Sequence, residues 1–326
     1  MPAIEIRELH KSYGPHVALR GIDVEVAHGE IYGFIGPNGA GKTTTMRILL
    51  DIIRASAGYV RVLGEDPRTG GARIRSHIGY LPGELHLQGR MNVATLLNHY
   101  AEISAAGPGS RYDWRPYAER LGLDPSRAVR GLSKGNKQKV GLVQAFAHRP
   151  ELLILDEPTS GLDPLVQQEF QLMLIEARQG GQTVFLSSHV LSEIEHIADR
   201  VGVLRDGRLE VAATVPELRG RLGSSMRVQL GAAPSDQELL QLRDAAGVRS
   251  VERVPGHDDE LLLDLPGTPD AALKLLARHT VLDLSAQRPD LETAVMRLYA
   301  GEHDDNPTPA DLTAATSTET HDPRTR

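Results

Sequence analysis

A chain of 326 residues, 40% hydrophobic and 24% charged, has room for one large globular domain and one small one. Its apolar runs are too short for a transmembrane helix, and with no cysteine it has no disulfide, no thiolate chemistry and no Cys-based zinc site. Net charge is −7, but residues 301–326 hold six acids against Arg324 and Arg326; the rest sits near −3, which leaves no basic field for nucleic acid.

The N-terminal stretch from Met1 to Lys11 carries charges where a signal peptide needs an apolar core, which argues for the cytoplasm. Residues 3–30 alternate apolar and polar (Ile4, Ile6 and Leu9, then Val17, Leu19, Ile22, Val24 and Val26), which predicts antiparallel strands. Tyr13 lies between them, either packed at a strand end or free to stack on a base.

Ile31–Ile35 is a short apolar run that reads as a buried strand. Gly36-Pro37-Asn38-Gly39-Ala40-Gly41-Lys42-Thr43-Thr44 follows and fits the pattern G-x-x-x-x-G-K-[ST] without a mismatch. A helix to about Ile53 comes next. The glycines let successive N–H groups converge on an anion, and the helix N-terminus adds partial positive charge there. Lys42 is then placed for the β- and γ-phosphates of a nucleoside triphosphate, and the Thr43 hydroxyl for Mg²⁺.

A strand over Tyr59–Leu63, a short helix near Arg73 and a strand over Ile78–Leu81 are expected next, then a loop from Pro82 to Gly89. Residues 92–123 read helical, with a Gly-Pro-Gly break at 107–109. A further helix opens behind Leu132-Ser133-Lys134-Gly135-Asn136, with Ser133 as its N-cap. Leu152–Leu155 is a buried strand ending in Asp156 and Glu157. At the carboxyl end of a central strand these acids face the ligand crevice, Asp156 to hold Mg²⁺ through water and Glu157 to orient or deprotonate a water. Asp163-Pro164 starts the next helix. Thr183–Ser187 is another strand, which puts His189 within reach of a γ-phosphate. Residues 201–204 and 208–211, joined by Asp206-Gly207, read as a hairpin, followed by a helix over 216–222.

From Met226 the order is β-α-β-β-α-β: a strand at 226–230, a helix at 235–245, strands near 249–254 and 259–265, a helix at 269–278 and a strand at 280–285. That order matches the ferredoxin-like pattern. A last helix is expected from Asp290 to about Tyr299. The Thr-, Pro- and Asp-rich tail after residue 300 reads as disordered.

Together these residues resemble the ATP-binding subunit of an ABC transporter over roughly residues 1–220. The resemblance makes residues 36–44 the Walker A loop, 152–157 the Walker B strand, 133–136 the signature, Asp163 part of the D-loop and His189 the switch histidine. Tyr13 falls where the family stacks an aromatic on adenine. Two positions depart from the pattern. Lys134 and Asn136 replace Gly and Gln of the signature, and Gly83, followed by Glu84, stands where the family has the Q-loop glutamine. Glu84, Gln88 or water is left to fill its place.

The implied fold is α/β, a P-loop NTPase of the ABC type: a mixed sheet core with an antiparallel β subdomain and a helical subdomain, plus a small α+β ferredoxin-like domain. The implied divisions are 1–222 (helical subdomain about 84–147), 223–300 and the tail 301–326. The implied function is ATP hydrolysis with Mg²⁺ by two copies of the chain, the signature of each acting in trans. They would drive a separately encoded multi-helix permease from the cytoplasmic face of the membrane. The C-terminal unit and the Leu-Pro-Gly-Glu and Leu-Ser-Lys-Gly-Asn variants resemble the branch of drug and antibiotic exporters (ABC-2 type), including polyether-resistance systems. A soluble ABC ATPase and an importer subunit are the alternatives.

Overall fold

Strands buried on both faces read as near-continuous apolar runs, and residues 31–35, 152–156 and 183–188 are buried throughout. The computed structural model describes residues 1–87, 89–104, 112–222, 224–245, 247–265 and 269–287. In chain order the first elements are β1 (Ile4–Tyr13), β2 (His16–Val26), β3 (Ile31–Ile35), α1 (Lys42–Leu49), β4 (Ala57–Val62), α2 (Pro67–Arg75), β5 (Ile78–Leu81), α3 (Val93–Ser104), α4 (Arg115–Arg120) and α5 (Lys134–Phe146). Then come β6 (Leu152–Asp156), α6 (Pro164–Gln179), β7 (Thr183–Ser188), α7 (Leu191–Glu195), β8 (Arg200–Arg205), β9 (Arg208–Thr214) and α8 (Val215–Leu222). Past α8 lie β10 (Ser224–Leu230), α9 (Asp236–Arg243), β11 (Ser250–Val254), β12 (His257–Leu265), α10 (Asp270–Leu276) and β13 (Val281–Gln287).

The central sheet has the order β5-β6-β7-β3-β8-β9; the first five strands are parallel and β9 pairs antiparallel with β8. Side chains alternate across it with the period of two that a strand imposes. Leu153 and Leu155 of β6, with Val184 and Leu186 of β7, enter a core shared with the helices, where Leu97, Val143, Phe170 and Leu174 meet them. Leu152 and Ile154, with Phe185, face the other way, toward Met46 and Leu49 of α1 and Ile4 and Leu19 of the antiparallel sheet β2-β1-β4.

The predicted helix to Ile53 stops four residues early. Asp51 adopts φ 56°, a left-handed conformation that aspartate tolerates better than most residues, and the following Ile52 is exposed. Helices α3 and α4 fall within the predicted 92–123, the expected Gly-Pro-Gly break at 107–109 lies outside the described residues, and α4 has Pro116 in its first turn. The short α7 was not read from the sequence. The hairpin prediction holds, with Asp206 and Gly207 both at positive φ as a two-residue I′ turn demands.

The C-terminal strands form an antiparallel sheet of order β11-β12-β10-β13, the ferredoxin-like arrangement, over a core that includes Met226, Val228, Leu242, Leu263 and Leu276. Its first helix carries a full capping box between Ser235 and Glu238. The helix expected at 290–299 and the acidic tail lie outside the described residues. No helix among the described residues is long and apolar enough to cross a membrane.

Candidate functional site

The parity of β6 decides which way its terminal acid points. Leu152, Ile154 and Asp156 share a face, and that face looks at α1. Asp156 therefore arrives at the start of α1, where its Oδ2 accepts a 2.7 Å hydrogen bond from the Thr43 hydroxyl. On β7 the same parity carries Phe185 and then Ser187, the direct partner of Asp156 across the ladder. The Ser187 hydroxyl donates to Asp156 Oδ1 at 2.6 Å. Asp156 is fully buried, with a donor on each carboxylate oxygen.

The loop from Gly36 to Gly41 joins β3 to α1. A Cβ on Gly36 would lie 2.3 Å from the Leu204 carbonyl oxygen, so the loop's close seat on β8 requires glycine there. Gly41 turns into the helix at φ 114°, a region other residues avoid. No side chain caps α1, so the first N–H groups of this helix are left for an anion. The Lys42 side chain is buried and folds back along the loop, donating to the carbonyls of Gly36 (2.6 Å) and Pro37 (3.3 Å).

Glu157 follows the strand at φ 49°, a conformation costing a non-glycine residue about 1–3 kcal/mol. With the chain turned in this way, its carboxylate lies between a cation and a ring. Oε1 is 3.4 Å from Lys42 Nζ and, though buried, takes no hydrogen bond. Oε2 is 2.5 Å from Nδ1 of His189, whose side chain is half exposed. Thus Lys42, Thr43, Asp156, Glu157 and His189 are brought to one place.

Other expected residues sit further out. Tyr13 is about half exposed, with Lys11 Nζ 4.8 Å from its ring centre. Gly83 backs onto Asp156, where an added Cβ would lie 3.0 Å from Oδ2, while Glu84 is exposed and Gln88 falls outside the described residues. Ser133 caps α5, accepting from Asn136 N, and Lys134 donates to the Ser160 hydroxyl at 2.9 Å. Gly135 packs so closely on Gly161 that a Cβ would meet its carbonyl oxygen at 2.4 Å. Asp163 is exposed and caps α6. The hydrogen bonds of residues 133–136 go to their own segment and to Ser160, none to the phosphate loop.

Several residues of the site went unread in the sequence. Ser187 was legible in principle, from strand parity. Gln138 shares a helix face with Gly141, Leu142 and Ala145, and a polar residue at that place on a buried face was the available signal. Thr159 and Glu193 offered none, because their bond (2.7 Å, Thr159 Oγ1 donating) depends on how α7 returns to the loop after β6.

Fold and site together define a P-loop nucleoside triphosphatase. The ABC transporter family pattern matches residues 19–160. The bacitracin transport ATP-binding protein BcrA of Bacillus licheniformis is 37% identical over 70% of this chain and 74% of its own length. The linearmycin resistance ATP-binding protein LnrL of Bacillus subtilis is 28% identical over 90% of this chain and 97% of its own. Among solved structures, an ATP-binding subunit of an ABC transporter superposes with a TM-score of 0.62 at 29% identity, covering 67% of this chain and 92% of that one. The chain belongs to the ATP-binding proteins of ABC transporters, and it is an ATPase.

Burial pushes the Glu193 carboxyl above its ordinary range, outweighing the Thr159 hydroxyl and His189, which favour the charged form. The folded protein therefore holds this proton more tightly than the unfolded chain. Its contribution to stability is present in acid and fades as pH rises through the raised value. Glu193→Gln, neutral throughout, should gain melting temperature relative to the native protein between about pH 5 and about pH 8, the difference being smallest at the acid end. A difference that does not change with pH would contradict this.

Proposed function

We propose that this ATPase powers an exporter of hydrophobic small molecules, of the drug or antibiotic kind, by hydrolysing ATP with Glu157 as the general base. The observation that carries the hydrolytic part is the meeting of Thr43, Asp156 and Glu157 at the loop whose N–H groups await a phosphate. In this reading the loop from Gly36 to Gly41 wraps the β- and γ-phosphates, and Lys42 leaves the carbonyls of Gly36 and Pro37 for phosphate oxygens. Tyr13, already exposed, stacks on the adenine.

Thr43 and Asp156 suit Mg²⁺. They supply two hard oxygens 2.7 Å apart, and among the described residues no three His, Asp or Glu side chains gather to enclose an ion alone. A cation that keeps waters and takes phosphate oxygens needs no more than that. Mg²⁺ supplies charge neutralisation of the phosphates when bound. Gly83 brings no side chain to Asp156, which leaves the place of the family's glutamine to Glu84, Gln88 or water.

Glu157 accepts a proton from the attacking water as its oxygen bonds to the γ-phosphorus and the bond to the ADP oxygen breaks. His189, beside the Glu157 carboxylate, orients that group and reaches toward the γ-phosphate. Ser133 through Asn136 make no hydrogen bond to the phosphate loop of their own chain. This supports a dimer in which each signature closes on the ATP of a second copy.

The export assignment is supported by relatives whose names record bacitracin transport and linearmycin resistance. It calls for a separate membrane permease, which would hold the chain at the cytoplasmic face.

Glu157→Gln should lower ATP turnover by about 10²-fold or more with ATP affinity within about twofold, whereas Lys42→Ala should lose affinity itself. Native turnover in the first variant would exclude Glu157 as base. Affinity purification from gently solubilised native membranes should recover a multi-helix permease in equal amount. Recovery from the cytosol alone, without a membrane protein, would favour a soluble ATPase.

A further inference from the structure

The left-handed peptide at Glu157 is held from outside the strand ladder. Its N–H donates to the Ser187 hydroxyl at 3.0 Å, and its carbonyl accepts from Gln138 Nε2 at 3.1 Å. The same amide nitrogen also donates to the Pro158 carbonyl at 3.0 Å. Gln138 is almost fully buried, 3% exposed, and stands on α5, the helix that Ser133 caps. Both N–H bonds of its amide are thus spent on the turn that carries the base.

We propose that Gln138 is a positioning residue for ATP hydrolysis: it fixes the Glu157–Pro158 turn, and with it the aim of the Glu157 carboxylate at Lys42 and His189. This rests on the reading of Glu157 as the base. The geometry gives Gln138 a second consequence. Lys134 on Ser160 and Gly135 on Gly161 fasten the start of α5 to the segment just after the turn. The signature segment and the base therefore ride on one body within a chain. A displacement of the signature, once engaged by a second copy, would be felt at Glu157 through Gln138.

The test uses the full-length protein with MgATP and two variants. Gln138→Met keeps the volume but removes both donors. Gln138→Glu keeps the shape, and when protonated it still donates one hydrogen bond to the turn; once ionised it faces two carbonyls and repels them. The methionine variant should lower kcat by about tenfold or more with ATP affinity within about twofold. The glutamate variant should keep more of its activity at acid pH and lose it, relative to the native enzyme, as pH rises. Native kcat in Gln138→Met would overturn the proposal. So would an equal loss of kcat and affinity in both variants at a pH-independent ratio, which marks a general packing defect. If the methionine variant fails to fold, the pH profile of Gln138→Glu decides alone. Glu157→Gln measured alongside separates the two readings. An inactive Glu157→Gln beside a native Gln138→Met refutes only the positioning role, while an active Glu157→Gln refutes the base.

Discussion

A fully buried carboxylate is the constraint on which the site depends. Asp156 has no exposed surface, and an isolated charge in such a place is strongly disfavoured unless each lone pair finds a partner. Thr43 and Ser187 provide one donor to each oxygen. That requirement locks the start of α1, the end of β6 and the end of β7 into one arrangement, the arrangement a triphosphate needs. The sheet's two apolar faces supply the force. The hydrogen bonds supply the register, since a slip of one residue along β6 would turn Asp156 into the opposite core.

The second acid is treated differently. Glu157 would continue the alternation of β6 onto the helix-lined side of the sheet, but its φ of 49° breaks the pattern and brings its carboxylate to Lys42 and His189. Adjacent carboxylates thus acquire separate environments. Asp156 is enclosed and doubly bonded, while Glu157 keeps one oxygen without a hydrogen bond. Strain at such a position persists only where neighbours over-determine it, and the bond to Ser187 and the bond from Gln138 do so here.

Much of this was legible in the sequence because it follows from local rules. Ile31–Ile35 and Leu152–Leu155 read as buried strands because burial on both faces leaves an unbroken apolar run. The phosphate loop was recognisable because its geometry admits few residues; Gly36 and Gly41 each face a close approach or a positive φ. What escaped was tertiary. Gln138 and Glu193 are polar residues on helices, and their importance comes from a loop far along the chain. The early end of α1 escaped because Leu50, Ile52 and Ile53 look like a continuing helix, while the left-handed turn at Asp51 belongs to a residue that adopts it only sometimes. Gly83 illustrates the reverse case. The sequence exposed a missing glutamine side chain at Gly83, and the fold sets that gap against the Asp156 carboxylate.

In the proposed mechanism Thr43 and Asp156 act as one metal-linked unit beneath the phosphates. The most direct measurement is ATP affinity with Mg²⁺ and with a chelator in the native chain, Thr43→Val, Asp156→Asn and the double variant. Mg²⁺ should tighten ATP binding in the native protein, each single substitution should remove most of that gain, and the double should lose little more than either single. A Mg²⁺ effect that survives in Asp156→Asn, or losses that simply add, would contradict the account.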